Sequence, residues 1–222
     1  DPELLLEHES LVLENQSHWL AKEICSLWKR VLKRVDLTSR SMIALVENGS
    51  CFAGVLAELL FAVDRSYMMQ GEFEEDIRPT AKICLSKANF GAFTMSNGLT
   101  RLATRFIGDK ESESLAAGMV GKMIDAEEAQ NAGLITFSYD DVDWEDEVRI
   151  FIEERVSFSP DAMTGMEANL RFAGPETMET KIFGRLTAWQ NWIFQRPNAA
   201  GENGALKRYG SGIRGDFEKS RV

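Results

Sequence analysis

One acidic side chain, Glu58, lies within an otherwise apolar segment of this sequence. Residues 55–63 (VLAELLFAV) have the composition of a buried helix, and the two residues on each side of Glu58 are leucine or alanine. Burial favours the neutral form of a carboxylic acid and raises its pKa towards the range useful for proton transfer. Glu58 is therefore a candidate general acid or base. The structural alternative is a buried glutamate that pairs with a distant arginine or a backbone group.

A short run of small residues, 50–54 (SCFAG), precedes this helix and is called the elbow below. It follows an apolar, strand-like run at 42–46 and a break at Asn48-Gly49. A strand, a tight glycine-containing loop and a helix N-terminus bring free backbone N–H groups and the positive end of the helix dipole together. The sequence therefore predicts an α/β unit in which an oxyanion could bind at the elbow.

The other predicted elements must position this unit. An amphipathic helix is expected at 17–35, with Leu20, Ile24, Leu27, Val31 and Val35 on its inward face. Its basic cluster (Lys29, Arg30, Lys33 and Arg34) is typical of a solvated helix end rather than a phosphate site. Further strands are expected at 65–69, 81–85 and 134–137, and helices at 97–107, 114–123, 126–132 and up to residue 156. Residues 70–80 are acidic and polar, which is typical of a surface loop.

The C-terminal third is predicted to be helical. Ser159 and Pro160 are typical of an N-cap followed by the first helical residue, and Gly174-Pro175 opens a long helix that ends near Phe194. An apolar stripe on that helix indicates that it packs on a large surface; its members are Met178, Ile182, Leu186, Trp189 and Ile193. Residues from 197 onward form a tail or covering loop.

Composition excludes several functional classes. The 222 residues carry a formal charge of −10, which argues against nucleic acid as the main partner, and 44% are hydrophobic, which excludes a disordered chain. Three widely spaced cysteines, Cys25, Cys51 and Cys84, suit a reducing cytoplasm and form neither a disulfide framework nor a metal motif. The longest apolar run is too short for a membrane span, so no membrane partner is expected. The chain begins at Asp1 without an initiator methionine, so we expect upstream sequence in the same polypeptide.

Three segments together resemble the crotonase (enoyl-CoA hydratase/isomerase) superfamily. They are ALVENGSCFAGVLAELLFAVD at 44–64, ANFGAFTMSNGLTRL at 88–102 and MIDAEEAQNAGLIT at 123–136. The segment at 151–210 is similar to the C-terminal part of the benzoyl-CoA-dihydrodiol lyase family within that superfamily, which also has GSCFAG. The resemblance implies a partial, helix-rich, crotonase-like α/β fold with a C-terminal helical region. The expected divisions are a helical lead-in at 1–37, a crotonase-like core at 38–139 and the C-terminal helices and tail at 140–222.

The resemblance also implies roles for the elbow residues. Crotonases bind an acyl-CoA thioester and polarise its carbonyl with two backbone N–H groups, one of which would be that of Gly54 or of Val55 here. Glu58 matches one of the two acid/base glutamates of the hydratases. Cys51 is either a substrate contact or a small buried hydrophobe. No metal or redox cofactor is implied, and crotonases commonly form trimers, so a homo-oligomer is possible.

The second hydratase glutamate has no counterpart in this sequence. Lys87 falls near its place, and no acidic residue occurs between Asp76 and Asp109. Ser96 and Asn97 begin a predicted helix that faces the same region, as caps rather than as catalysts. The resemblance therefore favours the C-terminal part of a lyase that opens the ring of dearomatised (epoxidised or dihydrodiol) benzoyl-CoA with loss of formate. The alternatives are an enoyl-CoA hydratase or isomerase and a non-catalytic assembly module.

Overall fold

The computed structural model describes residues 1–71, 77–171 and 173–218, so that residues 72–76 of the acidic stretch predicted as a surface loop at 70–80 lie outside the described residues. The chain divides into two compact units. The first consists of residues 1–36 and 42–145, and the second of residues 37–41 and 146–222.

The first unit contains the elbow, six helices and six short strands among its described residues. The helices are α1 (Pro2–Glu14), α2 (Trp19–Asp36), α3 (Gly54–Ala62), α4 (Arg101–Arg105), α5 (Lys110–Ala117) and α6 (Ala126–Asn131). The strands are β1 (Ile43–Val46), β2 (Phe52–Ala53), β3 (Arg65–Met69), β4 (Ile83–Cys84), β5 (Met123–Ile124) and β6 (Phe137–Tyr139).

These strands form two three-stranded sheets. In the first sheet, β3 lies between β1 and β6 and is parallel to both, with Ala44 opposite Ser66 and Met68 opposite Ser138. In the second sheet, β4 lies between β2, to which it is parallel, and β5, to which it is antiparallel. The predicted α/β fold class is confirmed. The elbow contains the junction at which β2 passes directly into α3.

Three predicted elements have the wrong boundaries, and in the two helices local caps explain the difference. The helix expected at 97–107 begins only at Arg101, because the hydroxyl of Thr100 accepts a hydrogen bond from the Ala103 N–H at 3.0 Å. Ser96 and Asn97 are therefore not its caps. The helix expected at 114–123 lies earlier, as α5, because Asp109 accepts from the Ser112 N–H at 3.1 Å. The strand expected at 134–137 is found three residues later, as β6, which begins at Phe137.

The predicted inward face of α2 is also wrong. Leu20, Leu27 and Val31 are 46%, 51% and 50% exposed, whereas Ala21, Cys25 and Leu32 are buried. The two sets are offset by one residue, or about 100° around a helix. The apolar spacing identified a helix correctly, but the neighbouring helices and the loop at Phe93 select the adjacent stripe, since Cys25 and Leu32 share one core cluster with Val55, Ala88 and Phe93.

The sequence predicts a helical lead-in at 1–37 but no separate helix before residue 17, where the structure has α1. Its N-cap is Asp1, which accepts hydrogen bonds from the N–H groups of Glu3 and Leu4 at 3.0 and 3.3 Å, and Pro2 occupies the first helical position. Leu5, Val12 and Leu13 of α1 pack against the core cluster that includes Val55. This packing brings α1 against the beginning of α3, and it positions the side chain of Glu9 described below.

The second unit is helical. It contains α7 (Trp144–Ser157), α8 (Pro160–Leu170), a π-helical segment (Thr180–Leu186), α9 (Thr187–Ile193), α10 (Pro197–Ala200) and α11 (Ala205–Arg208). The predicted cap of α8 is confirmed, since Ser159 accepts from the Ala162 N–H. The apolar stripe of the long helix is only partly covered: Met178 is 73% exposed, whereas Ile193 packs closely against Gly165 of α8. Among the described residues, no helix has the length and hydropathy needed to cross a bilayer.

Candidate functional site

Within the elbow, β2 ends at Ala53 and α3 begins at Gly54 with no residue between them. Gly54 is the first residue of α3 and has φ 48°, a left-handed conformation that favours glycine. Ala53 occupies the N-cap position and supplies no side-chain cap. The first N–H groups of an α-helix have no acceptor inside the helix, so those of α3 must be satisfied from elsewhere.

A carboxyl group from α1 lies directly over this elbow. A Cβ atom placed on Gly54 would be 2.6 Å from Oε2 of Glu9 and 3.0 Å from its Cδ. Glu9 is only 3% exposed, and among the described residues its Oε2 has no hydrogen-bond partner. Burial raises the pKa of Glu9, and the Ser86 hydroxyl and the Val55 N–H lower it by a smaller amount. The missing side chain of Gly54 is therefore the space that the Glu9 carboxyl group fills.

Glu58 lies one turn further along α3, with its carboxylate fully enclosed. The side chain is 1% exposed. Its Oε1 accepts a hydrogen bond from Nδ2 of Asn89 at 2.7 Å, and its Oε2 accepts one from the guanidinium of Arg101 at 2.6 Å. Nδ2 of Asn89 also donates to the Gly54 carbonyl at 2.9 Å. The structural alternative for Glu58, a pair with a distant arginine, is thus the geometry observed.

Arg101 connects Glu58 to a second carboxylate. Its Nε and Nη2 atoms donate to Oδ1 and Oδ2 of Asp36 at 2.9 and 2.6 Å, and Nη1 also donates to the Phe93 carbonyl at 2.9 Å. Arg101 is 2% exposed and Asp36 4%. One guanidinium therefore faces two ionisable carboxyl groups in a buried cluster, which we call the Asp36–Arg101–Glu58 cluster. Such a cluster carries one excess negative charge when both acids are ionised.

The expected upward shift in the pKa of Glu58 is confirmed. Burial is its largest cause, hydrogen bonds from Asn89 and Arg101 and the Arg101 charge oppose it, and the Asp36 charge adds to it. An upward shift in the pKa of Glu58 is expected from the charges in the cluster, because one cation cannot neutralise two buried carboxylates. A raised pKa is compatible with proton transfer, but it is equally expected of a buried structural acid.

The remaining predicted site residues lie around the elbow. Gly54 and Val55 are buried, and the thiol of Cys51 is free and partly exposed. Lys87, near the place of the second hydratase glutamate, is exposed at the start of a 3₁₀ turn, Lys87–Phe90.

Sequence reasoning missed the four polar residues that surround these positions: Glu9, Asp36, Asn89 and Arg101. The available signal was the apolar environment of Glu58 itself, since a buried acid needs donors and a counter-charge from elsewhere in the chain. That signal does not say which arginine or amide supplies them.

The fold of this chain is similar to that of several solved structures. The chain superimposes on Pseudomonas aeruginosa AtuE with a TM-score of 0.66 and 17% identity, covering 93% of this chain and 74% of that one. An enoyl-CoA hydratase from Bacillus anthracis gives a TM-score of 0.64 at 16% identity, covering 92% and 74% of the two chains. An enoyl-CoA hydratase/isomerase from Cupriavidus metallidurans gives 0.64 at 17%, covering 96% and 72%. The chain therefore has the crotonase-like fold, as predicted.

A curated relative gives a more particular comparison. Benzoyl-CoA-dihydrodiol lyase of Aromatoleum evansii is 47% identical over 222 residues, which is the whole of this chain and 39% of that protein. The predicted resemblance to this lyase is confirmed, and the chain spans well under half of the relative's length. No protein-family model matches the sequence.

Proposed function

We propose that this chain is the C-terminal part of a lyase that opens the ring of dearomatised benzoyl-CoA. Water adds to the epoxide or dihydrodiol, a carbon–carbon bond breaks, and formate leaves with a semialdehyde acyl-CoA. The observation that carries the proposal is the 47% identity to a lyase of that name along all 222 residues. The proposal places the reaction in aerobic benzoate degradation and in the cytoplasm. The compartment is supported by three free cysteines among the described residues.

A general enoyl-CoA hydratase or isomerase is the enzymatic alternative. Enoyl-CoA hydratases share the fold of this chain. Because the sequence identity is only 16–17%, this similarity supports a common fold and not a common reaction. Hydration by two carboxylates also requires the second glutamate, and its place near Lys87 holds no acid in this chain. The lyase is therefore favoured over the hydratase.

Within the lyase, the geometry of this unit supports an assembly role better than a catalytic one. A general acid or base must come within hydrogen-bonding reach of the proton that it moves. Both oxygens of Glu58 already have partners, Asn89 and Arg101, and the residue is 1% exposed. The carboxyl group of Glu9 fills the space that the missing side chain of Gly54 leaves at the elbow. We infer that Glu58 is a structural acid here and that the remainder of the polypeptide carries the chemistry.

The catalytic alternative assigns proton transfer to Glu58, the thioester oxygen to the N–H of Gly54 or Val55, and a substrate contact to Cys51. It requires α1 to withdraw Glu9 from the elbow, and it requires Glu58 to exchange Arg101 for substrate. The raised pKa of Glu58 is the observation in its favour. This alternative invokes no metal or redox cofactor.

Two protein samples test the proposal: the 222-residue chain and the complete protein that contains it. We expect the complete protein to release formate from dearomatised benzoyl-CoA, and the 222-residue chain to bind CoA thioesters weakly and to turn over little. A complete protein that hydrates crotonyl-CoA efficiently and leaves dearomatised benzoyl-CoA unchanged would overturn the lyase assignment in favour of the hydratase. Size-exclusion chromatography of the same samples measures the homo-oligomer that the fold leads us to propose.

A further inference from the structure

Residues 217 and 218 are held within the second unit by a buried asparagine. Nδ2 of Asn198 donates to the Glu218 carbonyl at 3.2 Å, and Oδ1 of Asn198 accepts from the Glu218 N–H at 2.9 Å. Asn198 is 4% exposed. An asparagine amide that bonds to both backbone groups of one residue recognises the main chain and does not depend on the side chain of that residue.

Asn198 itself is fixed by the beginning of α8. Its backbone N–H donates to Oδ2 of Asp161 at 3.0 Å, and its carbonyl accepts from the Ser159 hydroxyl at 2.8 Å. Ser159 and Asp161 are 4% and 3% exposed, so both anchors are buried. The side-chain amide is therefore held in position before a segment binds, which lowers the entropic cost of binding.

Phe217, directly before the residue that Asn198 binds, lies in the wall of a cavity. The cavity has a volume of about 420 Å³, and Val156, Phe158 and Met163 line it together with Phe217. The ring of Phe217 is partly buried. Removal of aromatic surface from water favours docking of this side chain, in addition to the two backbone hydrogen bonds next to it.

The stretch that connects α11 to Phe217 is exposed. Of residues 209–216, all but Gly215 are exposed, and Tyr209 and Ile213 are 90% and 61% exposed. The docked residues are thus joined to the helices by an exposed connection and not by a packed element. Segment and site can therefore separate without rearrangement of the helices that form the site.

We propose that Asn198 and the cavity that holds Phe217 form a binding site for a peptide segment, and that residues 217 and 218 of this chain occupy it as a separable internal ligand. The site takes a large apolar side chain at the position of Phe217 and main chain of any side chain but proline at the position of Glu218. The proposal concerns the second unit and does not depend on the lyase assignment.

The experiment measures binding of a labelled peptide with the sequence of residues 215–222 (GDFEKSRV) to the 222-residue chain. One variant combines Phe217→Ala with Glu218→Pro, which removes the ring and the N–H that Asn198 binds and so empties the site. Fluorescence anisotropy should show saturable binding of the peptide to this emptied variant. The unaltered chain should bind the peptide at least about tenfold more weakly, because its own tethered segment competes at a high effective concentration.

Ile213→Ala is the matched control, because it removes an apolar side chain from the same segment and leaves Phe217 and Glu218 in place. It should bind the peptide as weakly as the unaltered chain does. The peptide offers a second control. An ester oxygen in place of the Glu218 N–H should weaken binding to the emptied variant about fivefold or more, whereas an ester in place of the Asp216 N–H should leave it unchanged.

Absence of saturable binding to the emptied variant would overturn the proposal. Equal affinities for the two ester peptides would also overturn it, because Asn198 would then not be the group that recognises the segment. An emptied variant that fails to fold, as measured by circular dichroism, would show that residues 217 and 218 belong to the core and are not a ligand. Dimers of the unaltered chain that disappear in the emptied variant would place the segment in a second copy and contradict internal occupancy.

Discussion

The guanidinium of Arg101 donates to Oε2 of Glu58 at 2.6 Å, and both side chains are 1% exposed. The two residues are 43 positions apart, so the pair joins α3 to α4 across the first unit. Arg101 also holds Asp36 at the end of α2. Three helices thus meet at one buried cation, and the predictions below test what that arrangement does.

Removal of the Glu58 carboxylate should destabilise the first unit. Glu58→Ala leaves Arg101 paired with Asp36, so the cluster stays neutral, but it removes the acceptor for the buried donors of Asn89 and Arg101. A buried donor left without its acceptor typically costs about 1–3 kcal/mol. Glu58→Gln, which keeps the shape and can still bond to Asn89, should lose less. The free energy of unfolding from urea titration at pH 7 measures both. Glu111→Ala on the exposed face of α5 is the control and should change stability by no more than about 0.5 kcal/mol; an equally small effect of Glu58→Ala would contradict a structural role.

Replacement of Arg101 should make stability depend more steeply on pH. Arg101→Met leaves Glu58 and Asp36 without a counter-charge, which raises the pKa of Glu58 in the folded state further above its unfolded value. Stability from a raised pKa is present below the unfolded pKa and is lost as pH rises through the folded one. The free energy of unfolding of Arg101→Met should therefore be lower than that of the unaltered chain, and the difference between the two should grow from pH 5 to pH 8. Arg101→Lys keeps the charge and should show a smaller gap, and a gap independent of pH would refute the argument.

Glu9 should make its own contribution to this pH dependence. Burial raises its pKa in the folded chain, so its ionisation weakens the folded state as pH rises through the folded pKa. Glu9→Gln has no such ionisation, and its stability relative to the unaltered chain should improve as pH increases from 5 to 8. Urea midpoints at several pH values measure this difference. Glu7→Gln is the control, because it removes an exposed carboxylate from the same helix and so separates the effect of burial from that of the charge. If the urea midpoints of Glu9→Gln and the unaltered chain change with pH in the same way, the predicted rise in the pKa of Glu9 is wrong.

In the second unit, Gly165 allows the close approach of α8 and α9. A Cβ on Gly165 would lie 2.4 Å from Cδ1 and 2.8 Å from Cγ1 of Ile193. Gly165→Ala should therefore destabilise the chain by about 1–3 kcal/mol, the usual effect of overpacking, even though alanine is the better helix former. Because the clash is with a side chain, Ile193→Ala should relieve it, and the double variant should be more stable than the sum of the single effects. Additive effects in that double-mutant cycle would show that residues 165 and 193 do not contact each other.

The elements that local sequence determines were predictable. The strand, elbow and helix around Gly54, the cap of α8 at Ser159 and the strand at β3 follow from apolar runs, glycine and capping residues within a few positions. The burial of Glu58 followed from its apolar neighbours, and its raised pKa followed from that burial. The role of Glu58 in the reaction remains a prediction.

The partners of these residues were not predictable, because long-range packing selects them. Arg101 and Asp36 reach Glu58 from other helices, and no spacing rule relates positions 36, 58 and 101. Glu9 reaches the elbow only because α1 packs on α3. On α2, the stripe that includes Leu27 and the adjacent stripe that includes Cys25 are both apolar, and tertiary contacts decide which of them is buried.

The most direct measurement is the turnover of Glu58→Gln in the complete protein, with formate release from epoxidised benzoyl-CoA as the readout and the melting temperature as the check on folding. We expect the variant to keep its kcat within about threefold of the unaltered enzyme per folded molecule, because Glu58 accepts hydrogen bonds from Arg101 and Asn89 and does not contact substrate. General acid–base catalysis typically contributes 10²–10⁴-fold, so a fall of roughly that size at an unchanged melting temperature would contradict the account and make Glu58 a catalytic residue.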